Sequence, residues 1–562
     1  MFDLFRSFLP LRNPLGFGAS DFIELALAVI LVGLILLRGA IEPWVRKLAA
    51  RTGWAMLTFA ALTCASRLLL LPHCPVPTPS GSDDFGYILL GDTLRHFRLA
   101  NPPHPLSQFF ESIFILQQPT YSSIYPLGPG MVLALGFLVF GSFWAGVLLA
   151  EAAFCAFCYW MLRAWTTPLW AFAGGLLAIA EFGPLSSWMN SYWGGALSGI
   201  AGCLVFGSIP RLRRSGRTRD AVLLGLGLAI QLLTRPFEFV LLVAAVALIC
   251  LPDLLRGRLL FKSLYISGLC LVPALGLVLL HNKAVTSSWT TLPYMLSRYE
   301  YGIPTTFTFQ PNPVPHRALT PEQNLDYRAQ CAIHGMGTDT PADYMRRLWG
   351  RVRYLRFFWF APLYFAAAAF LFTFHKTRLF SVVLAILIVA LGTNFYPFFY
   401  PHYVAAVACL LLLVCIKGLE KLNRQAAKWI FVLCGVQFLF WYGIYLDGNP
   451  QLLPVIDFQT WSFINYGDPE GRIAIARELD RSPGKQLVFV RYWPGHLFHE
   501  WIHNAAEIDS SRVVWARDLG DAENQKLIRY YPDRHAWLVE PDARPPRLIV
   551  YRSEGASFVT VH

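Results

Sequence analysis

Long apolar runs recur through the first 446 positions and are separated by short polar, basic or proline-rich stretches. Apolar runs near 20 residues predict helices that cross a lipid bilayer. The sequence therefore predicts a polytopic membrane protein. Its predicted spans are about 20–38, 52–71, 142–162, 168–183, 194–209, 219–234, 236–252, 263–281, 356–374, 379–396, 402–417 and 429–446.

Two further stretches are apolar or amphipathic without predicting a span. Residues 127–141 are too short, and they predict a half-helix or a re-entrant element. Residues 1–20 contain Arg6, Arg12 and two prolines but no small-residue cleavage site after an apolar core. We interpret them as an interfacial segment and expect no cleavable signal peptide.

Composition supports the same class. The chain of 562 residues is 55% hydrophobic and only 15% charged, whereas a soluble protein carries about 25% charged residues. The net charge of +12 lies in short loops between the predicted spans, so it indicates membrane orientation and not nucleic-acid binding. The basic loops are residues 38–51, Arg163, and residues 211–219, 256–262, 375–378 and 417–428.

The basic loops fall on one side if each span crosses once, and that side is predicted to be cytoplasmic. Loops 72–130 and 282–355 then lie on the extracytoplasmic side, together with residues 447–562. Because the number of predicted spans is even, the N-terminus is predicted to lie on the extracytoplasmic side as well. We expect two domains, a transmembrane domain at 1–446 with these two external loops and an extracytoplasmic α/β domain at 447–562.

The α/β expectation follows from a change of pattern after residue 447. Short β-type runs at 486–490, 512–515 and 536–540 alternate with helix-like stretches at 471–480 and 521–531. His496, His499 and His503 suggest a metal site, but their spacing lacks the glutamate of the metalloprotease motif. We predict that they belong to a histidine-rich surface helix.

The eleven cysteines show no paired zinc spacing. Nine lie in apolar runs, where thiols behave as small hydrophobes. Cys74 and Cys331 lie in predicted loops, and a disulfide between them stays open.

The loop at 72–130 contains the adjacent carboxylates Asp83 and Asp84, directly after an apolar run. Like charges side by side raise each other's pKa unless something compensates. The ordinary interpretation is a solvated turn, because Ser82-Asp83-Asp84 is also helix N-cap chemistry. The other interpretation is a pair used for acid–base chemistry, with the aromatic residues Tyr87 and Tyr125 nearby.

Other polar side chains are predicted near the same membrane face, where an enzyme site needs cations for a phosphate and aromatic rings for a sugar. Each has an ordinary alternative. Arg235 and Glu238 are spaced to pair with each other, Lys283 can snorkel, and the histidines and aromatics can pack at the interface. The candidates are Glu181, Asn190, Trp193, Arg235, Glu238, His281, Lys283, Arg298 and His402.

The chain resembles a known family in three features. These are the Asp83-Asp84 pair after the opening spans, the amphipathic stretch that follows it, and Tyr125-Pro126-Leu127-Gly128-Pro129-Gly130 leading into Leu138-Val139-Phe140-Gly141. They resemble the polyprenyl-phosphate-sugar-dependent transferases of the C-type glycosyltransferase (GT-C) fold, such as protein O-mannosyltransferases and the lipid A aminoarabinose transferase. The resemblance covers about residues 52–300, and the rest by hydropathy alone.

The predicted spans give a mainly α membrane protein with about 12–13 transmembrane helices and a small C-terminal α/β domain, and the resemblance implies that it is an enzyme of the GT-C type. It implies transfer of one sugar, with inversion, from an undecaprenyl- or dolichyl-phosphate carrier to a protein, lipid or glycan. The reaction is expected at the extracytoplasmic face of the cytoplasmic (inner) membrane. The expected partners are the lipid-linked donor, an unnamed acceptor and the bilayer, with no nucleic acid.

In this scheme Asp83 is the general base, and Asp84 holds the acceptor or a neighbouring cation. Arg235 is the first candidate for the carrier phosphate, followed by Lys283 and Arg298. No cofactor is required, although a carboxylate pair is able to bind a divalent cation. The chain departs from the family where Asp84 replaces a glutamate, and where Ile124 and Tyr125 stand in place of a lysine before paired prolines.

Two other functions are compatible with the same spans. A transporter or flippase for a lipid-linked glycan would show charges at the bilayer midplane and internal repeats, and no repeat is evident. A membrane ligase or polymerase of glycans would use a long external loop rich in arginine and histidine. The 282–355 loop contains Arg298, His316, Arg317 and His334, so this alternative stays open.

Overall fold

The computed structural model describes residues 19–79, 81–256, 261–335, 337–372, 377–447, 471–497 and 499–551. Most of the predicted interfacial segment and the predicted boundary after residue 447 lie outside these residues. By their contacts, the described residues form two compact units. The first, called the helical unit, lies within Met1–Pro77, Trp144–Gly276 and Thr340–Ile464; the second, the sheet unit, lies within Thr78–Phe143, Leu277–Asp339 and Asn465–His562. No finding tests the predicted domain boundaries, which stay a prediction.

Helices dominate both units. In chain order they are Ala19–Ala50, Thr52–Leu69, Ser82–Arg95, Leu127–Phe140, Phe143–Leu162, Pro168–Phe182, Ala196–Ser215, Thr218–Thr234, Pro236–Leu255, Phe261–Leu269, Leu271–Thr286, Pro293–Tyr301, Pro321–His334, Pro341–Val352, Leu363–Leu371, Thr377–Thr393, Ala408–Leu419, Arg424–Asp447, Arg472–Arg481 and Asp521–Tyr530. Short 3-10 helices lie at Ser107–Phe110, Arg353–Phe357 and Pro401–Val407.

Five stretches of the described chain are long and apolar enough to cross a membrane: Phe143–Leu162, Pro236–Leu255, Phe261–Thr286, Pro401–Leu419 and Arg424–Asp447. The described chain also has shorter apolar helices, among them Leu127–Phe140 and Pro168–Phe182. The predicted class, a mainly α membrane protein with a small C-terminal sheet, is confirmed. The number of about 12–13 spans stays a prediction.

Close helix packing in the helical unit depends on glycine at two contacts. A Cβ on Gly202 would lie 1.8 Å from the carbonyl oxygen of Ala406, and one on Gly418 would lie 1.7 Å from that of Ala366. Neither distance is compatible with a side chain. Small residues let membrane helices bring their backbones together, where van der Waals contact replaces the missing hydrophobic drive.

The sheet unit contains two sheets. The strands β1 (Ile115–Leu116) and β2 (Ser122–Ser123) form a short antiparallel pair. The strands β3 (Lys485–Val490), β4 (Val513–Arg517), β5 (Arg534–Glu540) and β6 (Arg547–Val550) form a sheet in the order β4-β3-β5-β6. β3 is parallel to β4 and β5, and β6 is antiparallel to β5.

Both faces of the larger sheet are buried, as expected for a sheet with parallel strands. Leu487 and Phe489 of β3 belong to a core that includes Phe109 and Leu527. The alternate residues Val488 and Val490 face a second core that includes Leu479 and Trp501. The predicted alternation of strands and helices after residue 471 is confirmed, and β6 is the strand that the sequence pattern missed.

The predicted histidine-rich surface helix is wrong. The segment that contains His496, His499 and His503 is irregular. Nδ1 of His496 lies 2.7 Å from Oδ1 of Asp542, and His503 stacks on Phe85 with ring centroids 4.3 Å apart. Burial, and then the charge of Arg472, lowers the pKa of His503 to about 3. Side-chain packing therefore fixes this segment without helical structure.

All eleven cysteines are free thiols, most of them buried. The disulfide between Cys74 and Cys331 that the sequence left open is not formed.

An ion-pair network joins the first two chain segments of the sheet unit. The guanidinium of Arg317 donates to the buried carboxylate of Glu111 and lies 3.3 Å from Oε2 of Glu300. The hydroxyl of Tyr301 donates to Glu111 over 3.1 Å, and the amide of Gln323 donates to the same carboxylate over 3.3 Å. A buried charge is tolerated because it is paired and hydrogen-bonded.

We expect Arg317→Met to destabilise the protein by about 3 kcal/mol, because it leaves Glu111 as an unpaired buried carboxylate. This value lies at the lower end for buried pairs since the side chain of Arg317 is 30% exposed. Thermal unfolding of the detergent-solubilised chain measures the change. The matched control is Lys526→Met, which breaks the exposed pair with Glu523 and should change stability by about 0.5 kcal/mol or less. Equal losses of stability in Arg317→Met and Lys526→Met would contradict a special role for the buried pair of Arg317 and Glu111.

Candidate active site

Asp83 and Asp84 lie in the first turn of the helix Ser82–Arg95. Gly81 is the N-cap residue and has no side chain with which to cap the helix. Asp84 is buried, with 7% of its surface exposed, and Asp83 is half-buried. The partial positive charge of the helix N-terminus stabilises negative charge in this turn.

An aromatic pair orients Asp83. The hydroxyl of Tyr125 donates a hydrogen bond to Oδ1 of Asp83. The ring of Tyr125 stacks on Tyr87 with centroids 4.0 Å apart and planes 19° apart. Gly86 makes this approach possible, because a Cβ there would lie 2.6 Å from the Tyr125 ring. The structure thus brings three of the predicted site residues together.

Asp326 is a further carboxyl at this site, and sequence reasoning missed it. It is 3% exposed and accepts a hydrogen bond of 2.7 Å from the amide of Gln330. Burial is the main cause that raises the pKa of Asp326 to about 7; the hydrogen bond from Gln330 opposes it, and the charge of Asp83 adds to it. The available signal was the polar stripe of Glu322, Asp326 and Gln330 at helical spacing in the 282–355 loop.

Two predicted cation candidates of the sheet unit, Arg298 and Lys283, donate to backbone carbonyls, whereas the histidine candidate His281 is buried. Arg298 donates to the carbonyl oxygens of Pro304 and Thr305 over 3.2 and 3.0 Å. Lys283 is exposed, and its Nζ donates to the carbonyl of Ser287 over 2.8 Å. His281 is 3% exposed, and its Nε2 has no hydrogen-bond partner among the described residues.

Arg298 is connected to the carboxyl group through the backbone. The amide of Thr305, whose carbonyl Arg298 holds, donates to Oε1 of Gln330 over 2.9 Å, and Gln330 in turn donates to Asp326. Arg298 therefore supports the loop that positions Gln330.

Two predicted residues of the helical unit are buried in structural contacts. Glu181 is 2% exposed, and its Oε1 accepts from the amide of Phe360 over 2.5 Å. Asn190 accepts from Nε of Arg67 over 2.7 Å and donates to two backbone carbonyls over 2.9 and 2.7 Å. These bonds use the whole amide group of Asn190, which indicates a structural role.

The remaining predicted residues of the helical unit form two contacts. Nη1 of Arg235 lies 3.2 Å from Oε1 of Glu238, one turn along the helix Pro236–Leu255, and its guanidinium lies over the ring of Tyr403 at 4.9 Å. The rings of Trp193 and His402 meet edge to face with centroids 5.0 Å apart. The expected pairing of Arg235 and Glu238 is thus present.

Arg351 is a second guanidinium near Tyr403, and sequence reasoning missed it. It lies over the ring of Phe399 at 4.7 Å, and Tyr403 acts on it electrostatically. Its Nη1 is buried and has no hydrogen-bond partner in the described part of the chain. Burial, and then the charge of Arg347, lowers the pKa of Arg351 to about 10. A bound anion would offset both the desolvation of this guanidinium and its repulsion by Arg347.

Among the residues that the structure describes, no three His, Cys, Asp or Glu side chains form a group that would hold a metal ion. The chemistry attributed to a divalent cation stays an expectation.

The chain resembles solved membrane glycosyltransferase structures over most of its length. ArnT from Cupriavidus metallidurans, in the apo state and bound to undecaprenyl phosphate, aligns with TM-scores of 0.46 and 0.45 at 14% and 13% identity, over 87% of this chain and 93% of that chain. The archaeal oligosaccharyltransferase AglB from Archaeoglobus fulgidus, in complex with an inhibitory peptide and a dolichol-phosphate, aligns with a TM-score of 0.41 at 11% identity. That alignment covers 88% of this chain and 70% of AglB.

No protein-family model and no curated protein matches the chain. ArnT is a lipid A aminoarabinose transferase.

Proposed function

We propose that the chain is an integral-membrane glycosyltransferase that moves a sugar from a polyprenyl-phosphate carrier to an acceptor at the extracytoplasmic face. The observation that carries the proposal is the position of Asp83. Its carboxylate lies at a helix N-terminus, is held by Tyr125, and has the second acid Asp326 near it. A fixed carboxylate beside stacked aromatic rings suits proton removal from a sugar acceptor.

In the proposed reaction, the acceptor oxygen or nitrogen attacks the anomeric carbon and forms the new glycosidic bond. The bond between that carbon and the phosphate oxygen breaks, and polyprenyl phosphate leaves with the electron pair. Asp83 takes the proton of the acceptor as the bond forms. Attack from the side opposite the leaving group inverts the configuration. Asp84 is proposed to hold the acceptor, and no metal enters these steps.

The leaving phosphate needs a cation more than an acid, because polyprenyl phosphate is already a fair leaving group. We propose Arg235 for this role and add Arg351, whose buried Nη1 has no hydrogen-bond partner in the described chain. Arg298 and Lys283 are weaker candidates because their nitrogens already donate to backbone carbonyls. A guanidinium also offers paired donors that match two phosphate oxygens.

We expect Asp83→Asn to lower kcat by about 10²–10⁴-fold, which is the usual effect of losing a positioned general base. The melting temperature should stay near that of the wild type. Transfer of radiolabelled sugar from a polyprenyl-phosphate donor measures kcat. The matched control is Asp533→Asn at an exposed site, which should leave kcat unchanged. If Asp83→Asn keeps a tenth or more of the wild-type rate, Asp83 is not the base.

Asp326 should make stability depend on pH. Its pKa of about 7 in the folded protein lies above the ordinary 3.8, so the folded chain keeps a proton that the unfolded chain releases. Its contribution to stability is therefore present at about pH 4, falls as pH rises to about 7, and is absent above that. Asp326→Asn cannot ionise, so its melting temperature relative to wild type should be higher at pH 8 than at pH 5.

Thermal unfolding of both proteins at the two pH values tests this expectation. Asp480→Asn, at an exposed position in the helix Arg472–Arg481, is the matched control and should show no such change. If the difference in melting temperature between Asp326→Asn and the wild type is the same at both pH values, the pKa of Asp326 is not raised in the folded protein.

We expect Arg235→Lys to raise the KM for the lipid donor about tenfold or more, because an ammonium replaces a two-pronged donor. The KM for the acceptor should hardly change. Glu238→Gln is the control, since it breaks the ion pair but keeps the guanidinium. If both variants lower the melting temperature alike and neither changes the donor KM, Arg235 has only a structural role.

A further inference from the structure

A polar cavity of about 560 Å³ lies within the helical unit, and none of the residues assigned to sugar transfer lines it. It is formed where the candidate spans Phe143–Leu162 and Pro401–Leu419 end and where the helix Pro168–Phe182 begins. The ends of membrane-spanning helices lie at the depth of lipid headgroups. The position of the cavity is therefore that of an interfacial site.

The lining of the cavity has an excess of positive charge. Arg163, Arg214 and Lys417 face it together with the single acid Glu420. Nζ of Lys417 lies 2.7 Å from Oε2 of Glu420, so one cation is compensated and two positive charges remain. Arg214 is fixed in the wall, because its Nη2 donates to the carbonyl of Ala164.

One donor at this cavity is buried without a partner. Nε of Arg163 makes no hydrogen bond in the part of the chain that the structure describes. Desolvating a guanidinium nitrogen without a partner costs free energy. Arg163 also lines the cavity, and an anion there would balance the excess charge.

The other lining residues match a lipid headgroup. Trp165 and Trp170 line the cavity, and Nε1 of Trp165 donates to the carbonyl of Phe206 over 2.9 Å; tryptophan is enriched at headgroup depth. The N-cap residue of the helix Pro168–Phe182 is Thr167, and its side chain caps no backbone amide. The first-turn amides and the helix dipole therefore add to the attraction for an anion.

We propose that this cavity binds the phosphodiester headgroup of an anionic membrane lipid, of the phosphatidylglycerol type. The volume lies in the range of small-ligand sites, about 300–1,000 Å³, and a basic cavity between membrane helices suits such a headgroup. The positive-inside pattern predicts the cytoplasmic leaflet as the source. This site is independent of the proposed sugar transfer.

The experiment uses the full chain in a zwitterionic detergent. Bound lipid is measured by native mass spectrometry and by the shift of the melting temperature as phosphatidylglycerol, phosphatidylcholine or inorganic phosphate is added. Phosphatidylglycerol should bind and stabilise, and phosphatidylcholine should not. Arg163→Gln combined with Arg214→Gln should weaken the binding of phosphatidylglycerol about tenfold or more, since each cation contributes at interfacial depth.

Arg217→Gln combined with Arg219→Gln is the matched control, because it removes two exposed arginines from the start of the helix Thr218–Thr234 and none from the cavity. The control should bind phosphatidylglycerol like the wild type. Equal weakening in both double variants would show a general charge effect and overturn the proposal. Protection by inorganic phosphate as strong as that by the lipid would show a site for free phosphate and would also overturn it.

A second variant keeps the test decisive if the arginine variant does not fold. Glu420→Gln removes the only acid of the cavity lining and leaves all three cations, so it should tighten phosphatidylglycerol binding several-fold. Unchanged or weaker binding by Glu420→Gln would contradict the proposal.

Discussion

The paired carboxylate of Glu111 is the interaction on which the sheet unit depends. The unit is assembled from three stretches that are far apart in the sequence, and ordinary chain connectivity does not hold them together. Arg317, Tyr301 and Gln323 of the second stretch all reach Glu111 of the first. A buried carboxylate is costly unless it is fully paired. Few other ways of packing these two stretches would therefore leave Glu111 satisfied.

The third stretch is attached by an ion pair and by a hydrogen bond to a buried carboxylate. Arg517 of β4 donates to Glu322 of the second stretch, and the carboxylate of Asp92 in the first accepts from the amide of Ala506 over 2.6 Å. Asp83 lies on the same helix as Asp92, and Asp326 lies on the same helix as Glu322. The two carboxyl groups of the candidate site thus lie on helices that are anchored by a hydrogen bond to Asp92 and by the ion pair of Glu322.

Much of the fold was predictable because its signals are local. Apolar length indicated the membrane helices, and the alternation after residue 471 indicated β3, β4 and β5. The amphipathic stretch after the Asp83-Asp84 pair likewise lies in the helix Ser82–Arg95, which begins one residue before the pair. These elements follow from periodicity within a few turns of chain.

The partners that decide each polar residue's role were not predictable, because they lie far away in sequence. Asn190 looked like a substrate ligand until Arg67, 123 positions away, was found to occupy its oxygen. The histidines at 496–503 looked like one face of a helix, whereas Asp542 and Phe85 hold two of them in irregular backbone. Asp326 and Arg351 were missed for the same reason, since burial and a neighbouring charge give each its unusual environment.

A comparison of two arginines in the helical unit separates structural from functional candidates. Arg67 is fully buried, and its Nε, Nη1 and Nη2 donate to Asn190, Cys74 and Pro75 over 2.7 to 3.0 Å. Each nitrogen of that guanidinium is satisfied, so it cross-links the chain and has no capacity for a ligand. Arg351 is also largely buried, but its Nη1 has no acceptor among the described residues.

The difference between these two arginines has an energetic meaning. A buried charged donor without an acceptor destabilises the folded protein, and Arg347 adds repulsion beside Arg351. An arrangement with this cost is expected where binding of an anion repays it. Arg213, Arg517 and Arg534 also have one guanidinium nitrogen without a hydrogen bond among the described residues, but Arg213 and Arg517 are paired with Asp253 and Glu322, and Arg534 donates to backbone carbonyls. An unsatisfied nitrogen therefore supports the proposed role of Arg351 only together with the repulsion from Arg347.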